Sequence, residues 1–195
     1  MRTLLLVRHA PTTATRASAF PAGEELDEQW REQAAGLAPA LPRSAAVIAS
    51  PARRCRQTAE AAGLDATVED AIGECDFGTW AGSSLAEIND SDPEAVRAWM
   101  LDPGAAPHGG ESLAAFSTRV ARWMDAEAGH EGPLVAITHA EVIKAAVVHA
   151  LGAPLLAFWR IDASPLAITE LHGHAGSWTV TGLNCPAISR APRPR

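Results

Sequence analysis

Three short apolar runs constrain this chain more than any other feature. "TLLLV" (3–7), "AAVIAS" (45–50) and "PLVAIT" (133–138) set apolar and small residues side by side without clean alternation. A strand with one wet face alternates polar and apolar residues. An unbroken run fits a strand covered on both faces, the condition of a central strand in a parallel sheet.

Helical patterns separate the runs. In "DEQWREQAAGLAPAL" (27–41), Asp27 is the expected N-cap of an amphipathic helix. "PARRCRQTAEAAGL" (51–64) places Pro51 at a first helical position and Gly63 near the end. "ESLAAFSTRVARWMDAEAG" (111–129) carries Leu113, Phe116, Val120, Trp123 and Met124 at helical spacing, with Gly129 as the stop. "AEVIKAAVVHALG" (140–152) also ends on glycine. "PLAITEL" (165–171) and "SWTVTGL" (177–183) read as strands joined through "HGHAG" in a hairpin. Strands alternating with helices make the fold class α/β.

The 195 residues suit one domain, expected over 1–188, and the Pro/Arg-rich "SRAPRPR" (189–195) reads as a disordered tail. A net charge of -7 argues against a nucleic-acid partner, which needs a basic face. Cys55, Cys75 and Cys185 show no metal or redox spacing, so a reducing, cytoplasmic setting is expected. Arg2 followed by a short apolar run that ends in charge does not read as a signal peptide, and no stretch approaches a membrane span. Nothing in the sequence speaks to oligomeric state.

Each strand run ends on polar chemistry. Arg8 and His9 follow the first, Ser50 and Arg54 the second, Thr138 and His139 the third. In open α/β sheets, ligands bind beyond the carboxyl ends of strands. Two guanidinium groups and two imidazoles at one edge suit a phosphate dianion, and helix starts at 51 and 140 add backbone N–H groups. Nearby arginines favour neutral imidazole, the form that attacks phosphorus.

These residues sit in blocks that resemble a known family. "LLLVRHAPT" (4–12) resembles the arginine–histidine signature of the histidine phosphatase superfamily, also called phosphoglycerate mutase-like. "SPARRCRQTAEA" (50–61), "ECDFGTWAG" (74–82), "GGESLAAFSTRV" (109–120) and "VAITHAEVIKAA" (135–146) resemble its later segments, in order. The resemblance implies a three-layer α/β/α sandwich with a mainly parallel central sheet. It implies His9 as a nucleophile that becomes phosphohistidine. Arg8, Arg54 and His139 would hold the phosphoryl group, with Thr15 and the helix start at Ala140 as further phosphate contacts. Glu74 would be the proton donor. No metal and no cofactor are implied, and the partner is a small phosphomonoester. The expected activity is phosphomonoester hydrolysis; the alternatives are a mutase-type isomerase and a non-catalytic phospho-ligand binder.

Rival assignments stand beside these. Arg53 or Arg56 shares a helix turn with Arg54, Asp76 rivals Glu74 as the acid, and Glu111 is first of all a helix-start carboxylate. His172 and His174 suggest a metal clamp but lack a third ligand nearby. Trp80, Trp99, Trp123 and Trp159 read as core or pocket wall. The chain departs from the family at Ala10, often glycine; at Thr15, often asparagine; at Trp30, commonly glycine; and throughout the 14–25 loop.

Overall fold

A computed structural model describes residues 1–187, so the expected tail at 189–195 lies outside the described residues. Six strands form one sheet: β1 (Arg2–Arg8), β2 (Ala46–Ala49), β3 (Thr67–Val68), β4 (Gly132–Thr138), β5 (Ala167–His174) and β6 (Ser177–Pro186), in the order β3-β2-β4-β1-β5-β6. The first four in that order run parallel, while β5 pairs antiparallel with both β1 and β6.

The unbroken apolar runs have the predicted cause. Leu4 and Leu6 of β1, with Leu134 and Ala136 of β4, face α6 (Leu113–Glu127) and α7 (Ala140–Leu151). Leu5, Val7, Val135 and Ile137 face the opposite way, toward Leu37 and toward Cys55 and Ala59 of α3 (Arg53–Ala61). Helices cover both faces, which makes the α/β/α sandwich. Each buried leucine or valine here contributes roughly 1.5–3 kcal/mol.

Connections leave the adjacent strands β1 and β4 in opposite directions. The chain runs from β1 through α3's layer to β2 on one side, and from β4 through α7 to β5 on the other. The crevice between β1 and β4 is therefore a topological switch point, where strand ends and helix starts converge.

Several sequence expectations shift locally. The helix expected over 27–41 is instead a 3-10 turn at Glu28–Trp30, a short α2 (Arg31–Ala35) and a second 3-10 turn at Ala38–Ala40. Gly36 ends α2, and Pro39 lacks the N–H that a continuing helix needs. Asp27 accepts from the Gln29 side chain and makes no cap bond. Pro51 precedes α3 rather than opening it; Ala52 is the cap residue, and its N–H donates to Ser50 Oγ (3.3 Å). The β5–β6 hairpin is tighter than "HGHAG", because the strands run to His174 and from Ser177. Ala175 and Gly176 alone make the turn, both with positive φ (49° and 78°).

Three helices were not foreseen: α1 (Thr13–Ala17), α4 (Leu85–Ser91) and α5 (Pro93–Leu101). Their signals are legible afterwards. Thr12–Thr15 and Ser84–Glu87 form reciprocal capping boxes, and Asp92 caps a helix that opens on Pro93.

Candidate active site

The three central strand ends deliver their polar residues to one point. The His9 N–H donates to the Thr138 carbonyl (2.9 Å) and the Ser50 N–H to that of Ile137 (2.9 Å), so the ends of β1, β2 and β4 are locked in register just beyond the sheet. Arg54 sits on the first turn of α3 with 2% of its surface exposed. Thr58, one turn on, donates to the Arg54 carbonyl (2.6 Å) and accepts from the Ala10 N–H (3.1 Å). That hydroxyl ties α3 to the residue after His9.

Partners fix the ring orientations. His9 Nδ1 donates to the Ala10 carbonyl (2.7 Å), which leaves Nε2 as acceptor of the Arg54 Nε–H (3.1 Å). Burial first, then the positive charges of His139 and Arg54, hold the His9 pKa well below its ordinary value, so the ring is neutral. His139 lies edge-on to it, with ring centroids 5.4 Å apart. Its Nε2 meets Ser50 Oγ at 2.7 Å and its Nδ1 meets Glu74 Oε1 at 3.3 Å. Burial opposes protonation of His139, but neighbouring Cys55 and Glu74 outweigh it and raise its pKa to about 9.

Glu74 bridges the cations. Its carboxylate pairs with Arg54 through one oxygen and with His139 through the other. Burial would raise the Glu74 pKa; the hydrogen bond and charge of His139, then Arg54, bring it below the usual carboxylate value. Arg54 and His139 nitrogens approach to 3.2 Å, and the carboxylate between them offsets the repulsion. Glu74 thus fills the niche between the two cations.

The Glu74 loop is held from behind. Arg119 on α6 makes a two-pronged pair with Glu111 (3.0 and 2.8 Å) and donates to the carbonyls of Ala71 (2.9 Å), Gly73 (3.1 Å) and Glu74 (3.2 Å). Two glycines let this loop press against residues 108–111. A Cβ on Gly78 would lie 2.1 Å from the His108 oxygen, and one on Gly110 would lie 2.1 Å from the Asp76 oxygen. Sequence reasoning missed Arg119; its place in "STRV", within a quoted block, was the available signal.

The remaining candidates separate. Arg8 is half-buried, donates to the Ala163 carbonyl (2.7 Å), and keeps a pKa lowered by its burial. Ala140 opens α7 immediately after His139 and is buried. Thr15 meets Thr12 Oγ1 at 3.1 Å within the α1 capping box, yet it also lines the neighbouring cavity. Arg53 is exposed and pairs with Glu25, and Arg56 is exposed as well. Asp76 is exposed and accepts from the Gly78 N–H (2.8 Å), and Glu111 is engaged by Arg119; neither joins the cluster. His172 pairs with Glu170 (2.8 Å), and no group of three or more His, Cys, Asp or Glu among the described residues could hold a metal ion. No helix among the described residues is long and apolar enough to cross a membrane.

One residue of the unassigned 14–25 loop does reach the cluster. Glu24 Oε2 lies 4.0 Å from Arg54 and has no hydrogen-bond partner, while its Oε1 accepts from the Ala22 N–H (2.8 Å). Beside the cluster lies a cavity of about 420 Å³, lined in part by Arg8 and by Cys75 and Phe77 of the Glu74 loop. Trp99 and Trp159 line that cavity, whereas Trp80 and Trp123 are packed into the interior.

Comparisons with known proteins identify the family. A model of the histidine phosphatase superfamily (branch 1) matches residues 4–186. A bifunctional protein of Mycobacterium tuberculosis is 34% identical over 189 residues, 89% of this chain and 51% of the relative, so the chain spans about half that protein's length. Phosphoserine phosphatase 1 of Hydrogenobacter thermophilus is 30% identical over 180 residues, covering 87% of this chain and 85% of the relative. The solved structure of a mycobacterial glucosyl-3-phosphoglycerate phosphatase superposes with a TM-score of 0.81 at 26% identity, over 94% of this chain and 99% of the other. A family match over nearly the whole length, on a sheet whose strand ends gather Arg8, His9, Arg54 and His139, makes this chain a member of the histidine phosphatase superfamily, branch 1.

Proposed function

We propose that the chain is a phosphomonoesterase that hydrolyses a small phosphorylated metabolite through phosphohistidine at His9. The observation that carries this reading is the His9 ring: neutral, tautomer fixed by the Ala10 carbonyl, and Nε2 turned to the buried Arg54 guanidinium. A phosphate group arriving at Arg8, Arg54 and His139, beside the α7 N-terminus at Ala140, replaces Glu74 as the partner of both Arg54 and His139. The freed carboxyl now faces a dianion, which raises its pKa and favours the protonated form.

His9 Nε2 then bonds to phosphorus as the phosphorus–oxygen ester bond breaks. Glu74 gives its proton to the departing oxygen, which leaves as the alcohol. The same carboxylate next takes a proton from water. The water oxygen bonds to phosphorus, the nitrogen–phosphorus bond breaks, and inorganic phosphate leaves. Arg8, Arg54 and protonated His139 stabilise the charge on the equatorial oxygens at both steps.

The test is acid-free quenching of enzyme turning over a ³²P-labelled ester. Label on His9 that is acid-labile and base-stable, with inorganic phosphate as product, is the expected result. Label on another residue, or an isomerised ester with little free phosphate, overturns the reading.

A further inference from the structure

The cavity beside the phosphate cluster has a composition unlike the cluster itself. Six aromatic rings line it: Phe20, Phe77, Trp99, Phe116, Phe158 and Trp159. Five of them form a continuous set of ring contacts, while Phe116 is fully buried behind them. Phe20 lies 4.8 Å from Phe77 and 5.6 Å from Trp99, and Trp99 lies 4.6 Å from Trp159, ring centre to ring centre. Apart from Arg8, the charged lining residues are Glu141 and Lys144, of opposite sign and one helix turn apart on α7. Lys144 also stands over the Phe158 ring (5.4 Å). Cys75 adds a thiol that burial keeps neutral. The walls thus offer mainly apolar, aromatic surface with three charged groups, Arg8, Glu141 and Lys144.

The cavity is also held open by backbone. The Phe20 N–H donates to the Ser83 carbonyl (2.9 Å), and the Gly82 N–H donates back to the Phe20 carbonyl (2.8 Å). Ala19 and Ser84 form an isolated bridge. These bonds fix the loop after α1 against the segment before α4, so Phe20 is positioned without a ligand. The acid loop itself supplies Cys75 and Phe77, directly after Glu74. A leaving group held here would have its oxygen at the Glu74 end, with Arg8 on the phosphate side.

From this juxtaposition of a phosphate cluster and a preformed aromatic cavity we infer that the preferred substrate is a phosphomonoester whose alcohol carries a flat apolar or aromatic ring. The inference rests on the phosphatase reading above and adds the class of leaving group. A volume of about 420 Å³ accepts a one- or two-ring group.

The experiment compares benzyl phosphate and 2-naphthylmethyl phosphate with ethyl phosphate and O-phospho-L-serine. All four release a primary alkoxide, so intrinsic reactivity does not bias the comparison as p-nitrophenolate would. The expected result is a kcat/KM at least tenfold higher for the two arylmethyl esters, carried mainly by KM. Trp99→Ala should shrink that ratio severalfold. Equal kcat/KM values, or a preference for phosphoserine, overturn the inference and leave the phosphatase reading in place. Failure to release phosphate from any ester, p-nitrophenyl phosphate included, defeats the phosphatase reading. In that event, calorimetry with benzylphosphonate and ethylphosphonate decides the cavity: at least tenfold tighter binding of the benzyl compound sustains its ring preference, and equal affinity overturns it.

Discussion

The phosphate cluster and the aromatic cavity share Arg8 and little else. The cluster is built from the ends of β1, β2 and β4 and the starts of α3 and α7, all tied to the sheet. Its polar groups are nearly all spoken for: Arg54, His139, Ser50 and Glu74 bond to one another. The cavity is built mostly from loops and short helices and offers aromatic surface. On the proposed reading, one region meets only the phosphoryl group and the bridging oxygen. The other meets only what differs between esters. Changes in the cluster should therefore lower turnover of all substrates, and changes in the cavity should alter only the ratios between them.

The largest expected effect is that of His9→Ala, which would remove the proposed covalent route. Phosphate release should fall by about 10⁴-fold or more with aryl and alkyl esters alike. A loss confined to one ester class would merge the two regions that the geometry separates.

Glu74→Gln comes next. Positioned acid–base catalysis contributes roughly 10² to 10⁴-fold. Single-turnover formation of phosphohistidine should slow by that factor with benzyl phosphate, and far less with p-nitrophenyl phosphate, whose leaving group needs no proton. With the aryl ester the intermediate should accumulate, since the base for its hydrolysis is missing. An equal loss with both esters would move the acid elsewhere.

Arg119 is a positioning residue, because it holds the carbonyls of the Glu74 loop from outside the cluster. Arg119→Ala should lower kcat by roughly 10²-fold, as small misplacements of catalytic groups do. It should show the same leaving-group dependence as Glu74→Gln, which a merely destabilised protein would not.

The ion pair of His139 with Glu74 gives stability a pH signature. The folded pKa of His139, about 9, lies above its ordinary 6.5. Its contribution is complete below pH 6.5 and disappears as pH rises toward 9. The Glu74 pKa is lowered from 4.5, so its contribution is present above that value and fades as pH falls. Stability of the ligand-free protein should peak between the two. Calorimetric scans should show a loss of about 2 kcal/mol, a few degrees in Tm, between pH 6.5 and 9. In His139→Asn that slope should flatten.

Glu24→Gln is expected to have the smallest effect. It removes a negative charge 4.0 Å from Arg54. Competitive inhibition by inorganic phosphate should tighten by about three- to tenfold, more so at low salt. Unchanged or weaker inhibition would show that the Glu24 carboxylate does not oppose anion binding at Arg54.

How much was legible differs along the same line that divides the two regions. Arg8, His9, Arg54 and His139 could be read because each lies next to an unmistakable buried strand or a helix start, so secondary structure alone brought them to one edge. Arg54 was not separable from Arg53 and Arg56 by type. Only the first turn of α3, with Thr58 donating to the Arg54 carbonyl, decides which guanidinium points inward. Glu74 was distinguished from Asp76 by resemblance, and the structure adds the reason: Asp76 is consumed by the Gly78 N–H.

Of the cavity, only Trp99 and Trp159 were legible, as core or pocket wall. Its aromatic residues come from α1's following loop, the acid loop, α5, α6 and the segment after α7, and no local pattern links them. What the sequence determined by itself is therefore the sheet and the chemistry at its edge, because apolar runs, caps and strand-end residues are short-range signals. What only the tertiary structure decided is which charges pair, which carboxylate sits between Arg54 and His139, and what kind of surface awaits the leaving group. Those outcomes depend on contacts such as Arg119 with the Glu74 loop and Phe20 with Ser83, which join residues far apart in the chain and obey no spacing rule.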